Sequence, residues 1–93
     1  MGIVARHLMI MGRVQGVFYR NWTTDTARTL RLAGWVRNRM DGSVEAVVEG
    51  SEEAVEQFIV LAHQGPPAAQ VVRIDVSDAP AEGLTSFQKR STC

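Results

Sequence analysis

Nine residues, Gly12-Arg13-Val14-Gln15-Gly16-Val17-Phe18-Tyr19-Arg20, combine the residue types from which an anion site is built. Two glycines four apart follow an apolar run, and an arginine closes the segment where a helix can begin. Glycines let the backbone turn so that successive N–H groups converge, and such a concavity binds anions. A helix N-terminus adds free N–H groups and a partial positive charge at the same place. The guanidinium of Arg20 adds a planar fork that matches a phosphoryl group. Arg20 is a poor choice for helix stability alone, since a cation there faces the positive end of the dipole, and a bound anion removes that conflict. The segment lacks the Gly-Lys-Ser/Thr ending of a Walker A loop and the cysteine of a cysteine phosphatase loop. The competing reading is an ordinary strand-to-helix turn.

The elements that must hold this segment follow from apolar periodicity. Val4–Met11 is a short apolar run bounded by Gly12 and is expected to form a first strand. Asn21–Ala33 carries Trp22, Ala27 and Leu30 near helical spacing, and Gly34 is expected to end that helix. Trp35–Asn38 and Val44–Glu49 read as second and third strands joined by a tight turn at Asp41-Gly42. Ser51 caps a second helix, Glu52 and Glu53 complement its dipole, and Val55, Phe58, Ile59 and Ala62 make its buried stripe. Gly65-Pro66-Pro67 ends it. Val72, Ile74 and Val76 alternate with Arg73 and Asp75, as in a half-buried fourth strand. Asp78–Gly83 reads as a loop, and Leu84–Arg90 offers a fifth, edge strand.

The order is βαββαβ, an α+β arrangement. Two right-handed crossovers around a central hairpin give a ferredoxin-like two-layer sandwich, an antiparallel sheet with two helices on one face. In that topology strands one and two run the same way with strand three between them, so their C-terminal ends share one rim. Asn38 then lies about 10 Å from the glycine loop, two strand spacings away. A phosphate and one water could span that gap. A carboxamide accepts from a water and donates to an oxygen without repelling a phosphate. Asparagine is also common beside turns for purely local reasons.

Composition bounds the rest. Ninety-three residues with 45% apolar content suit a single domain over 1–93 with one modest core. Ten basic residues balance ten acidic ones, which argues against a nucleic-acid partner bound through a broad basic field. The third strand also lacks the aromatics on which RNA-binding sheets of this topology stack bases. No apolar run approaches a membrane span or a leader's hydrophobic region. Cys93 is the only cysteine, so no intramolecular disulfide forms, in keeping with a reducing cytoplasm. His7 and His63 lie on different elements, and no cluster has metal-ligand spacing, so neither a metal nor a cofactor is expected. A monomer is the default expectation.

Gly12–Arg20 resembles the signature of the acylphosphatase family. Gly34-Trp35-Val36-Arg37-Asn38 followed by Asp41-Gly42 resembles its second signature, and Gly65-Pro66-Pro67-Ala68 with Val71 resembles its connection after helix two. The resemblance covers essentially the whole chain; Ser91-Thr92-Cys93 is the least similar part. It implies hydrolysis of an acyl phosphate to a carboxylate and inorganic phosphate. It implies, too, that the amides of Gln15, Gly16, Val17, Phe18, Tyr19 and Arg20 cradle the phosphoryl group, that the Arg20 side chain binds it, and that Asn38 positions the attacking water. The leaving carboxylate is a weak base that needs no general acid, and phosphoryl transfer relies mainly on positioning and electrostatics. The alternative is a non-catalytic module that binds phosphate or an acyl phosphate; it would keep Arg20 and have no need of Asn38.

Overall fold

A computed structural model describes residues 2–93. The elements are β1 (Ile3–Arg13), α1 (Tyr19–Thr29), β2 (Ala33–Asn38), β3 (Val44–Ser51), α2 (Glu52–Ala62), β4 (Gln70–Ala79) and β5 (Phe87–Lys89). The sheet order is β4-β1-β3-β2-β5. β1 and β2 both run antiparallel to β3 and so point the same way, which places the end of β1 and Asn38 on one rim. Alternation sends Leu8 and Ile10 of β1, Val36 of β2, and Val44, Ala46 and Val48 of β3 into the core beneath the helices.

The second helix follows its sequence signals closely. The Ser51 hydroxyl accepts the Ala54 N–H at 3.2 Å, and Val55, Phe58 and Ala62 are buried, with Ile59 packed at the margin. The first helix departs from expectation in both extent and face. It starts two residues earlier and buries Tyr19, Thr23 and Ala27, while Trp22 and Leu30 are only partly covered. It ends before Gly34: Arg31 takes the left-handed conformation, its N–H bonds to the Arg28 carbonyl, and the Leu32 N–H reaches back to the Ala27 carbonyl. Gly34 sits inside β2, where a Cβ would collide with the Val47 carbonyl of β3. Its role is close strand approach.

Two strands also differ. β4 is an edge strand that runs on through Ala79, so Asp78 and Ala79 belong to it and the loop begins later. Val71 and Ile74 of β4 pack against the core, while Val72, the unpaired residue at the bulge opposite Met11 and Gly12, and Val76 are exposed. The fifth strand exists but is confined to Phe87–Lys89 and pairs parallel to β2, so the sheet is mixed where a purely antiparallel one was expected. To reach β5 from β4 the chain must cross one end of the sheet, where it has no strand partner for its N–H groups. Glu49 of β3 supplies the acceptor. Its carboxylate, 4% exposed, takes the N–H groups of Glu82, Gly83 and Leu84 at 2.9, 2.9 and 3.1 Å. Glu49→Gln places an N–H donor among those donors. It is expected to cost about 2 kcal/mol or more, read as a lowered urea midpoint with an unchanged slope.

Candidate functional site

The loop between β1 and α1 is short and bound tightly on both sides. Gly12 is part of β1, at a bulge where a Cβ would collide with the Gln70 carbonyl of β4. The sharp turn is therefore made by Gly16 alone of the two glycines. Phe18 is the N-cap of α1 and lies in the left-handed region, with no side-chain cap and no acidic residue in the first turn. The consequence is an unusual stretch of backbone. From Gln15 to Asn21 no backbone N–H donates to another described residue; the first that does is Trp22, to the Phe18 carbonyl at 3.0 Å. A run of free donors at a helix N-terminus offers hydrogen bonds that an anion can accept.

Arg20 stands in that first turn. Its guanidinium donates to the Arg90 carbonyl at 3.5 Å and forms no ion pair among the described residues. Asn38 ends β2 two residues beyond the fully buried Val36, so it lies on the same, helix-facing side of the sheet. Its carboxamide has no hydrogen-bond partner among the described residues. Val14, Gly16, Phe18, Tyr19, Arg20, Asn21, Asn38 and Lys89 line one cleft of about 300 Å³. The structure thus brings Arg20 and Asn38 to a common opening.

Three of the sequence-derived loop residues direct their side chains elsewhere. The Gln15 carboxamide donates to the carbonyls of Arg39 and Ser43 at 2.7 and 2.8 Å, tying the loop to the β2–β3 hairpin. Val17 is buried in the core. The Tyr19 hydroxyl donates to the Ala62 carbonyl at the end of α2, and burial pushes its phenol above the usual tyrosine range. Only the backbone of these three remains available to a ligand. Lys89 was not foreseen. It pairs in register with Val36 and so shares the helix-facing side, where its ammonium donates to Asn21 Oδ1 at 2.9 Å. Only the register of β5 against β2 reveals it, and local sequence carries no such signal.

The hairpin that presents Asn38 is held from the opposite face of the sheet. Glu45 of β3 accepts from Arg37 Nε at 2.7 Å and from an Arg39 guanidinium nitrogen at 3.0 Å, and meets His7 Nε2 at 2.6 Å. Burial by itself would raise the Glu45 carboxyl. The hydrogen bonds from His7, Arg37 and Arg39 outweigh it and hold the group at about 2, below its ordinary 4.5. A larger hollow of about 740 Å³ lies at the other end of β2, beside Ala33. There Glu49 is engaged by loop N–H groups, and Arg28 donates to the Phe87 carbonyl at 3.0 Å.

These elements define the class of ferredoxin-like α+β sandwiches. Within that class the chain matches the acylphosphatase family model over residues 6–89. It is 52% identical over 89 residues to an acylphosphatase of Acidovorax sp. (strain JS42), covering 96% of this chain and 92% of the relative. It is 53% identical over 91 residues to an acylphosphatase of Azoarcus sp. (strain BH72), covering 98% and 93%. The crystal structure of acylphosphatase from Bacillus subtilis superposes with a TM-score of 0.91 at 36% identity, over 94% of this chain and 98% of that one. The chain belongs to the acylphosphatase family, and its activity is the hydrolysis of acyl phosphates.

The Glu45 cluster gives a pH prediction for the scaffold beneath this site. A carboxyl held at about 2 in the folded state and near 4.5 when unfolded stabilises fully above 4.5. That contribution, on the order of 2 kcal/mol, is lost as pH falls from 4.5 toward 2. Denaturation curves recorded across this interval should steepen in their pH dependence for the native sequence and flatten in Glu45→Gln.

Proposed function

We propose that acyl phosphate hydrolysis takes place in the cleft between the Gln15–Arg20 loop and Asn38. The observation that carries this reading is the pairing of groups left free among the described residues: consecutive loop N–H groups, an arginine without a carboxylate partner, and an asparagine carboxamide without a hydrogen-bond partner, all at one opening. Polar groups left free together near a helix N-terminus are arranged for a ligand. The loop amides and Arg20 hold the non-bridging phosphoryl oxygens and oppose the charge that spreads over them in the transition state. Asn38, reached across β3, holds a water in line with the departing oxygen. The carboxamide is no base at neutral pH, so the water's proton passes to a phosphoryl oxygen or to solvent. The P–O bond to the acyl oxygen breaks as the P–O bond to water forms, and the carboxylate leaves unprotonated.

This chemistry requires no metal, since the leaving group is already stable as an anion and the loop supplies the positive field. The domain is proposed to act as a metal-independent monomer in the cytoplasm, a reducing compartment that suits its exposed Cys93 thiol.

Asn38→Ala is expected to lower kcat for benzoyl phosphate by about 10² or more with little change in KM. An alanine variant as fast as the native protein would remove the water-positioning role. Arg20→Gln should lower kcat/KM and weaken competitive inhibition by inorganic phosphate together, because that contact exists before and during the reaction. Phosphate release should continue in EDTA; loss of activity restored by Mg²⁺ would refute the metal-free mechanism.

A further inference from the structure

The loop grips the phosphoryl end of the substrate, which leaves open what meets the acyl end. Among the described residues the exposed large apolar side chains are Ile3, Phe18, Met40, Val60, Val72 and Val76; Phe18 is the aromatic one and lines the cleft. The residue is 77% exposed, although those on either side, Val17 and Tyr19, are buried. Those neighbours fix the backbone and leave the ring no route into the core. The backbone at Phe18 is left-handed, φ 64° and ψ 24°, a conformation that bulky residues rarely adopt and that glycine or asparagine adopts readily. Neither core packing nor local backbone preference accounts for a ring at this position.

In-line displacement supplies an account. The departing oxygen lies on the side of the phosphorus opposite the water. With the water on the Asn38 side, the acyl group extends toward the loop side of the cleft. Of the lining residues Gly16 has no side chain, Val14 and Tyr19 are buried, and Arg20, Asn21, Asn38 and Lys89 are polar. Among the cleft-lining residues Phe18 is the exposed apolar one. We propose that Phe18 is the residue that recognises the acyl group, its ring packing against the substrate and favouring aromatic or extended apolar acyl phosphates over acetyl phosphate. This assignment rests on the reading of the cleft given above.

The test compares kcat/KM for benzoyl phosphate and acetyl phosphate in the native protein, Phe18→Asn and Phe18→Tyr. Asparagine tolerates the left-handed backbone and removes the ring; tyrosine keeps the ring. The benzoyl-to-acetyl ratio should fall about fivefold or more in Phe18→Asn and stay near the native value in Phe18→Tyr, intrinsic reactivities cancelling in the comparison. An unchanged ratio in Phe18→Asn overturns the assignment while leaving the cleft's role intact. A parallel fall for both substrates with weakened phosphate inhibition also overturns it, since the ring would then serve the loop's shape. A native protein that hydrolyses neither substrate removes the underlying reading of the site. Should Phe18→Asn fail to fold, competitive inhibition of the native protein decides: benzylphosphonate should bind several-fold more tightly than methylphosphonate, and equal inhibition overturns the proposal.

Discussion

Two carboxylates on the central strand, Glu45 and Glu49, hold the face of the sheet that no helix covers. Both project from β3 away from the core side, yet both are buried. Glu45 draws in His7, Arg37 and Arg39, and so joins β1, β2 and the hairpin turn across β3. Glu49 draws in three backbone N–H groups, which guide the chain from one edge of the sheet to the other. Without the first, the hairpin beyond Asn38 loses its anchor on this face. Without the second, β5 has no fixed approach to β2. Charge-assisted hydrogen bonds thus do on the open face what apolar packing does beneath the helices.

The site is built by the opposite rule. Around Glu45 and Glu49 donors and acceptors are matched closely. At the start of α1 they are left unmatched. Among the described residues, loop N–H groups, Arg20 and the Asn38 carboxamide lack strong partners, while Gln15 and Tyr19, which set their positions, have engaged side chains. Gln15 shows the division within one residue: its side chain fastens the loop to the hairpin, and its N–H remains free. A rigid frame carrying unsatisfied donors is preorganised for a charged transition state, because little reorganisation is needed when charge develops.

Much of this was legible in the chain itself. The second helix was readable because its cap, dipole charges and apolar stripe are local features that agree with one another. Asn38 was legible through topology, since βαββαβ order brings the ends of β1 and β2 to one rim. What escaped was non-local. Gly12 and Gly34 look like loop and helix-end glycines, and only the approach of β4 and β3 reveals why a side chain is excluded. Arg31 ends α1 in a conformation more often given to glycine, so the helix end could not be placed by residue type. Val72 and Val76 alternate with Ile74 as buried residues do, but a bulge gives the core-facing place of Val72 to Val71, and Val76 lies exposed on the edge strand. Lys89 enters the cleft through a register that no local pattern encodes.

The hydrogen bonds that assemble the cleft join residues far apart in the chain. Gln15 and Ser43 are 28 positions apart, Asn21 and Lys89 are 68, and Arg20 and Arg90 are 70. Contacts of such separation form only after the intervening chain has been ordered, because the entropy of closing long loops must be met first. The two helices and the β2–β3 hairpin are local and can form early. The cleft is a late product of folding, complete only once β5 has docked beside β2. A partly folded chain can therefore carry much of the secondary structure and still lack a working phosphate site, so recovery of activity on refolding should lag behind recovery of helical signal.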